Sequence, residues 1–157
     1  MTMGLLKQEC TSYVQSHNNS DDIKRLMDEI YFKSRNHFSK VIAGDSSLLF
    51  TNSILRNVFS NYEKFGEISS GVIKFEQKNN YFIVRSELNF ARYIFIYGVI
   101  LVLGLLTTIN FKADIIVFAV TAFILLFAFI ILCSQFAVYK FNSMIRACIK
   151  DCNFEIE

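Results

Sequence analysis

The chain has 157 residues, 53% apolar and 19% charged, with a net charge of +2 and a mean hydropathy of +0.36. The charged share falls below the roughly one quarter usual for a soluble domain, and no basic stripe is visible, which argues against nucleic acid as the main partner. Pro and Trp are absent, which suits uninterrupted helices and leaves any interfacial aromatic belt to Tyr and Phe, with Phe90, Tyr93, Tyr97, Phe111 and Tyr139 suitably placed.

In chain order, Leu5, Leu6, Cys10, Tyr13 and Val14 recur at helical spacing and predict a first helix over Gly4 to His17. Nothing before Cys10 resembles the apolar core of a signal peptide, and Met3-Gly4 does not fit a myristoylation site. Asn18-Asn19-Ser20 breaks this segment. Ser20 then reads as an N-cap, followed by Asp21 and Asp22 where the helix dipole favours negative charge. Ile23, Leu26, Met27, Ile30, Tyr31, Phe38, Val41 and Ile42 trace one face of a second helix, which Gly44 is expected to end. Asp45 reads as the cap of a third, with Leu48, Leu49, Ile54, Leu55, Val58, Phe59, Tyr62 and Phe65 as its stripe and Gly66 as its stop.

The period then changes from 3.6 to 2. Ile73 and Phe75 alternate with Lys74 and Glu76, and Phe82, Val84 and Leu88 oppose Arg85 and Glu87 across a turn at Lys78-Asn79-Asn80, which predicts a β-hairpin at about 72–88. A lone hairpin is barely stable in water, so its apolar face needs a cover. Tyr93 to Ile109 and Ile115 to Cys133 carry no charge. Each approaches the ~20 residues needed to cross a ~30 Å hydrocarbon layer, and the short break between them predicts a two-span helical hairpin. Beyond it, Phe141, Met144, Ile145, Cys148, Ile149 and Cys152 predict a short amphipathic helix, either continuing span two or lying in the interface.

The expected architecture is thus a mainly α membrane protein. Residues 1–90 form a cytosolic α+β domain of three helices plus the β-hairpin, 91–139 the transmembrane hairpin, and 140–157 an amphipathic cytosolic tail. Lys74, Lys78, Arg85 and Arg92 before the spans, and Lys140, Arg146 and Lys150 after them, predict both termini in the cytoplasm, at the inner membrane if the chain is bacterial. Cys10, Cys133, Cys148 and Cys152 form no C-x-x-C pair and suit the reducing side.

No catalytic, cofactor or metal site emerges. His17, His37 and Cys10 lack ligand spacing, and Asp21, Asp22, Asp28, Glu29, Glu63 and Glu67 read as solvated helix faces rather than paired acids. Asn18-Asn19-Ser20 matches a glycosylation acceptor on the wrong side of the membrane. Cys148 and Cys152 fit small buried hydrophobes better than palmitoylation sites. Within the spans only Thr107, Thr108 and Thr121, with Ser134 and Gln135 near one end, are polar, so the pair lacks the ionisable groups of a relay or channel.

The remaining features suit interaction. Phe82, Val84, Arg85 and Glu87 on the hairpin are candidate partner contacts, although the same residues fit packing on the chain's own helices. Gly104 and Thr108 form a small-x-x-x-small step for helix packing, within the chain or between copies. The expected function is a non-enzymatic integral membrane interaction or regulatory protein, resting on the lipid bilayer and binding another membrane or cytosolic protein. Small immunity, superinfection-exclusion and secretion-accessory proteins work this way, by analogy alone. The alternatives are an oligomerising membrane-disrupting effector, for which a homo-oligomer is required, and an enzyme whose site leaves no motif.

Overall fold

The computed structural model describes residues 7–15, 19–53, 65, 67–78, 81–108 and 113–155. Within them lie strand β1 (Lys7–Gln15), helix α1 (Asn19–Arg35), strands β2 (Lys40–Ala43), β3 (Ser47–Thr51), β4 (Ser70–Lys78) and β5 (Tyr81–Asn89), and helices α2 (Ala91–Thr108) and α3 (Ala113–Asp151). The strands form one antiparallel sheet in the order β1-β5-β4-β3-β2.

This corrects the expected fold. The β-hairpin is present, with Ile73 opposite Ser86 and Phe75 opposite Val84, but it forms the centre of a five-stranded sheet. The segment expected as a first helix is β1. Its inward positions are Gln8, Cys10, Ser12 and Val14, and this alternation is hidden because Gln8 and Ser12 are polar and Cys10 is small. The second helix stops at Arg35, not Gly44, and Val41 belongs to β2. Gly44 and Asp45 sit in the turn between β2 and β3, where the Gly44 N–H donates to the Ser47 carbonyl at 2.8 Å. The start of the expected third helix is β3, in which Leu48 and Phe50 point inward and Leu49 outward; residues 54–64 of that expectation lie outside the described residues. A short Leu-Leu-Phe run fits either period, and pairing with β4 decides for the strand.

The two-span hairpin is corrected as well. Among the described residues, one helix is long and apolar enough to cross a membrane, over Val120–Asp151. The described apolar stretch of α2, Ala91–Gly104, is shorter. Phe90 is fully buried and Ile94 packs on the core, so Phe90 is not part of an aromatic belt.

Of the two alternatives for the amphipathic tail, the continuation is the one observed: α3 is a single helix of 39 residues. Phe141, Ile145, Cys148, Ile149 and Cys152 join Leu26 and Ile30 of α1 over the inner face of the sheet, against Phe50, Ile73, Phe82, Val84 and Leu88. Helices thus cover one face of an antiparallel sheet, and the other face is left to solvent or a partner. Lys33 of α1 bonds Asp151 of α3. That bond, the largest influence on Lys33, raises its pKa above the ordinary value. The pairing therefore contributes below the ordinary lysine range and fades as pH rises through the raised pKa.

α3 ends in a Schellman arrangement. Asn153 adopts φ 63°, the left-handed conformation that Asn tolerates better than most residues. Its N–H donates to the Lys150 carbonyl at 2.9 Å, and the Phe154 N–H donates to the Ile149 carbonyl at 3.1 Å. Phe154 then meets Phe82 edge-on with ring centres 5.7 Å apart, which fixes the helix end on β5.

Gly71 lies opposite Phe50 in the register of β3 and β4. A Cβ there would stand 2.6 Å from Phe50 Cε2 and 2.7 Å from the Glu87 carbonyl oxygen. Phe50 is itself fully buried, so its ring has nowhere to swing. Gly71→Ala is therefore expected to lower stability by about 1–3 kcal/mol, measured as a drop in the thermal midpoint by circular dichroism; an unchanged midpoint would contradict this packing.

Candidate functional site

The six residues expected to mediate contacts fall in three different environments. Phe82 and Val84 are buried in the core and packed by α1 and α3. Alternation identified their shared face but could not tell that the chain's own helices cover it. Arg85 and Glu87 lie on the opposite, outward face. Gly104 is exposed on α2; Thr108 ends that helix, and its side chain lies outside the described residues.

On the outward face the charges form a diagonal ladder. Lys74 stands directly opposite Arg85 in the register, a repulsive pairing by itself. Each instead reaches across to a carboxylate: Lys74 Nζ to Glu87 Oε1 at 2.8 Å, and Arg85 to Glu76 at 3.6 Å. The hydrogen bond from Lys74 is the main reason the Glu87 carboxyl is held below its ordinary pKa. That contribution is present above the ordinary carboxylate range and is lost as pH falls through the lowered pKa. Beside the ladder lie two apolar patches. Ile42 and Leu49, half exposed and paired across β2 and β3, form one with Val72. Tyr13 and Tyr81, with ring centres 6.1 Å apart, form the other over Ile83.

A second assembly, which sequence reasoning missed, joins the sheet to α2. Asn52 is buried at the end of β3. Its Nδ2 donates to the carbonyls of Phe65 and Ile68, both at 3.0 Å, and its Oδ1 accepts from the Ser39 N–H at 3.1 Å. Its backbone N–H donates to the Ser69 carbonyl, and its own carbonyl accepts from the Arg92 guanidinium. Ser69 Oγ in turn accepts from the Arg92 N–H at 3.1 Å, and Asn89 Oδ1 from the Ala91 N–H at 2.8 Å. The first turn of α2 is thus capped by side chains from the sheet, which satisfies N–H groups that a helix start leaves open. An Asn in a loop-like context carries no sequence signal for such a role, because every partner is distant along the chain.

The third feature is the helix surface. On α2, Phe95, Val99, Ile100, Val102, Leu103 and Leu106 are exposed, with Phe95 at 71%. On the N-terminal half of α3, which packs beside α2, Val117, Val120, Ile124, Leu125, Phe129 and Leu132 are exposed too. Exposed apolar side chains gathered on two neighbouring helices mark contact with lipid or protein.

Chemistry-bearing groups are not gathered in the same way. Among the described residues no three His, Cys, Asp or Glu side chains come together to hold a metal ion. Asp21, Lys24, Arg25, Asp28, Glu29 and Phe32 line only an open depression along α1. His37 follows the end of α1 and meets Phe65 edge-on at 5.2 Å, while His17 and Glu63 lie outside the described residues. No family model, curated protein or solved structure matches the chain.

Proposed function

We propose that this chain is a non-enzymatic, membrane-anchored interaction protein. α3 is the observation that carries the reading. One unbroken helix is apolar and exposed in its first half and is packed into the domain core in its second. Such a helix holds a folded domain at a fixed place on a lipid layer, which suits recruitment or blocking of a partner better than turnover of a substrate. The domain is assigned to the cytoplasmic side, of the inner membrane if the source is bacterial. Lys140, Arg146 and Lys150 follow the apolar stretch on the domain side, while Lys112 and Asp114 offset each other at its far end.

The outward sheet face is the proposed docking surface for the protein partner, with Arg85 and Glu87 at its centre. Phe82 and Val84 support it from beneath rather than touching the partner. The class of work is that of small immunity, superinfection-exclusion or secretion-accessory proteins.

The test is affinity capture of the tagged chain from native membranes in mild detergent, with the absolute mass of the eluted particle. The expected result is a foreign protein in stoichiometric amount, lost when Arg85 and Glu87 exchange charge through Arg85→Glu and Glu87→Arg. A particle made only of several copies of this chain, together with membrane depolarisation, would replace this reading with the oligomerising effector. Release of the wild-type chain from membranes by alkaline carbonate would overturn the anchor itself.

A further inference from the structure

One exposed line runs along α3 from Leu125 at alternating steps of four and three residues: Leu125, Phe129, Leu132, Phe136, Tyr139, Ser143, Arg146 and Lys150. Its chemistry changes once. It is apolar to Phe136, turns to a phenol at Tyr139, and is polar or cationic from there on. The opposite side of the same turns is buried, through Ala137, Val138, Phe141, Ile145 and Ile149. Sheet packing therefore does not account for the change on the exposed side. Between Val117 and Phe136, both exposed, the helix rises about 29 Å, close to the ~30 Å of a hydrocarbon layer. Tyr139, at 71% exposure, stands one turn beyond, at the level where aromatic residues with a polar tip collect.

Lys140 supports the same boundary. Side chains on a helix lean toward its N-terminus, and the N-terminus of α3 is the apolar end. Lys140 follows that lean, its Nζ lying 4.3 Å from the centre of the Phe136 ring. A lysine charge is costly in hydrocarbon, so this contact puts the water boundary at the level of the Phe136 ring. Arg146, exposed on the same line as Tyr139, is the next basic residue, about 9 Å further along the axis from Lys140.

We infer that Phe136, Tyr139 and Lys140 set the water boundary on α3 and that Lys140 and Arg146 bind the phosphates of anionic phospholipids in the leaflet next to the sheet domain. The inference rests on the membrane reading above and adds to it a depth and a lipid class. It also places the inner half of α3 just below the headgroups, so the sheet is held against the membrane rather than on a tether.

The chain contains no Trp, so single Trp substitutions give a clean depth scale. Phe129→Trp, Tyr139→Trp and Ser143→Trp, all at exposed positions, would be made in the full chain and reconstituted into phosphatidylcholine/phosphatidylglycerol vesicles carrying bromine at shallow or deep acyl positions. Phe129→Trp should be quenched by deep bromine, Tyr139→Trp preferentially by shallow bromine, and Ser143→Trp by neither. If Phe129→Trp is quenched by deep bromine but Tyr139→Trp is quenched equally well by it, or by neither, the boundary is elsewhere and this inference fails while the membrane reading stands. If Phe129→Trp itself escapes quenching, the membrane reading fails too. For the headgroups, retention of phosphatidylglycerol over phosphatidylcholine on the purified protein should fall about fivefold for each basic side chain lost in Lys140→Gln and Arg146→Gln. Unchanged retention would overturn the phosphate contacts.

Discussion

Phe141→Ala is expected to destabilise the folded domain by about 3–5 kcal/mol, the largest effect of any single truncation in α3. Phe141 is fully buried where the second half of α3 crosses the sheet. Its ring centre lies 5.3 Å from that of Phe50, 5.6 Å from Phe65 and 6.1 Å from Phe38. Phe38 also stacks on Phe65 at 5.6 Å, so the four rings form one cluster drawn from β3, two connecting segments and α3. Aromatic pairs of this geometry each add about 0.5–1.5 kcal/mol beyond their buried area, and a cavity left among large rings cannot close without moving the sheet. The measurement is thermal unfolding in detergent, followed by circular dichroism. Phe136→Ala serves as the comparison, since Phe136 is exposed on the same helix and should change stability in detergent by no more than about 0.5 kcal/mol. Equal effects of the two variants would mean that α3 does not pack on the sheet as described.

Asn52→Ala should cost about 2–4 kcal/mol. The loss is not that of a small side chain but of three hydrogen bonds, which leaves the Ser39 N–H and the Phe65 and Ile68 carbonyls without that partner. A buried polar group left unsatisfied costs about 1–3 kcal/mol, and relaxation or entering water recovers part of the sum. Asn52→Asp should do no better, because a carboxylate has no N–H to offer the two carbonyls. The same variants should loosen the start of α2, since Asn52 and Ser69 are joined by the bond that precedes the Arg92 and Ser69 caps. Hydrogen exchange is the direct readout: the amides of Ser39 and Arg92 should exchange faster in Asn52→Ala, while those pairing β1 with β5 stay protected. Uniform acceleration across the sheet would show instead that Asn52 supports the whole fold rather than this junction.

Local pattern was legible wherever the deciding interaction was itself local. The alternation of Ile73, Phe75, Phe82 and Val84 belongs to strands joined by a short turn, and the hairpin is present with those faces. The acidic first turn at Asp21 and Asp22 marks α1 through its own dipole. The stripe from Phe141 to Cys152 is the face that packs, because helical periodicity is fixed by the backbone. Arg85 and Glu87 were correctly set on the face opposite Phe82 and Val84, for the same reason.

What the sequence by itself determined, then, is where residues must alternate or recur, and that the stretch after Arg92 is strongly apolar; that this stretch holds one long helix rather than two equal spans came from the folded chain. Tertiary structure alone decided what pairs with what. β1 is a strand because β5, about seventy residues away, supplies its hydrogen bonds; taken alone, Cys10, Tyr13 and Val14 fit a helix equally well. Leu48 and Phe50 are committed to a strand by β4 in the same way. The sheet also determines how much of the first apolar run is left exposed, since Phe90 and Ile94 are taken into the core. Burial by a distant partner leaves no periodic trace in the residue that is buried, and this is why the cover over Phe82 and the hub at Asn52 became visible only in the folded chain.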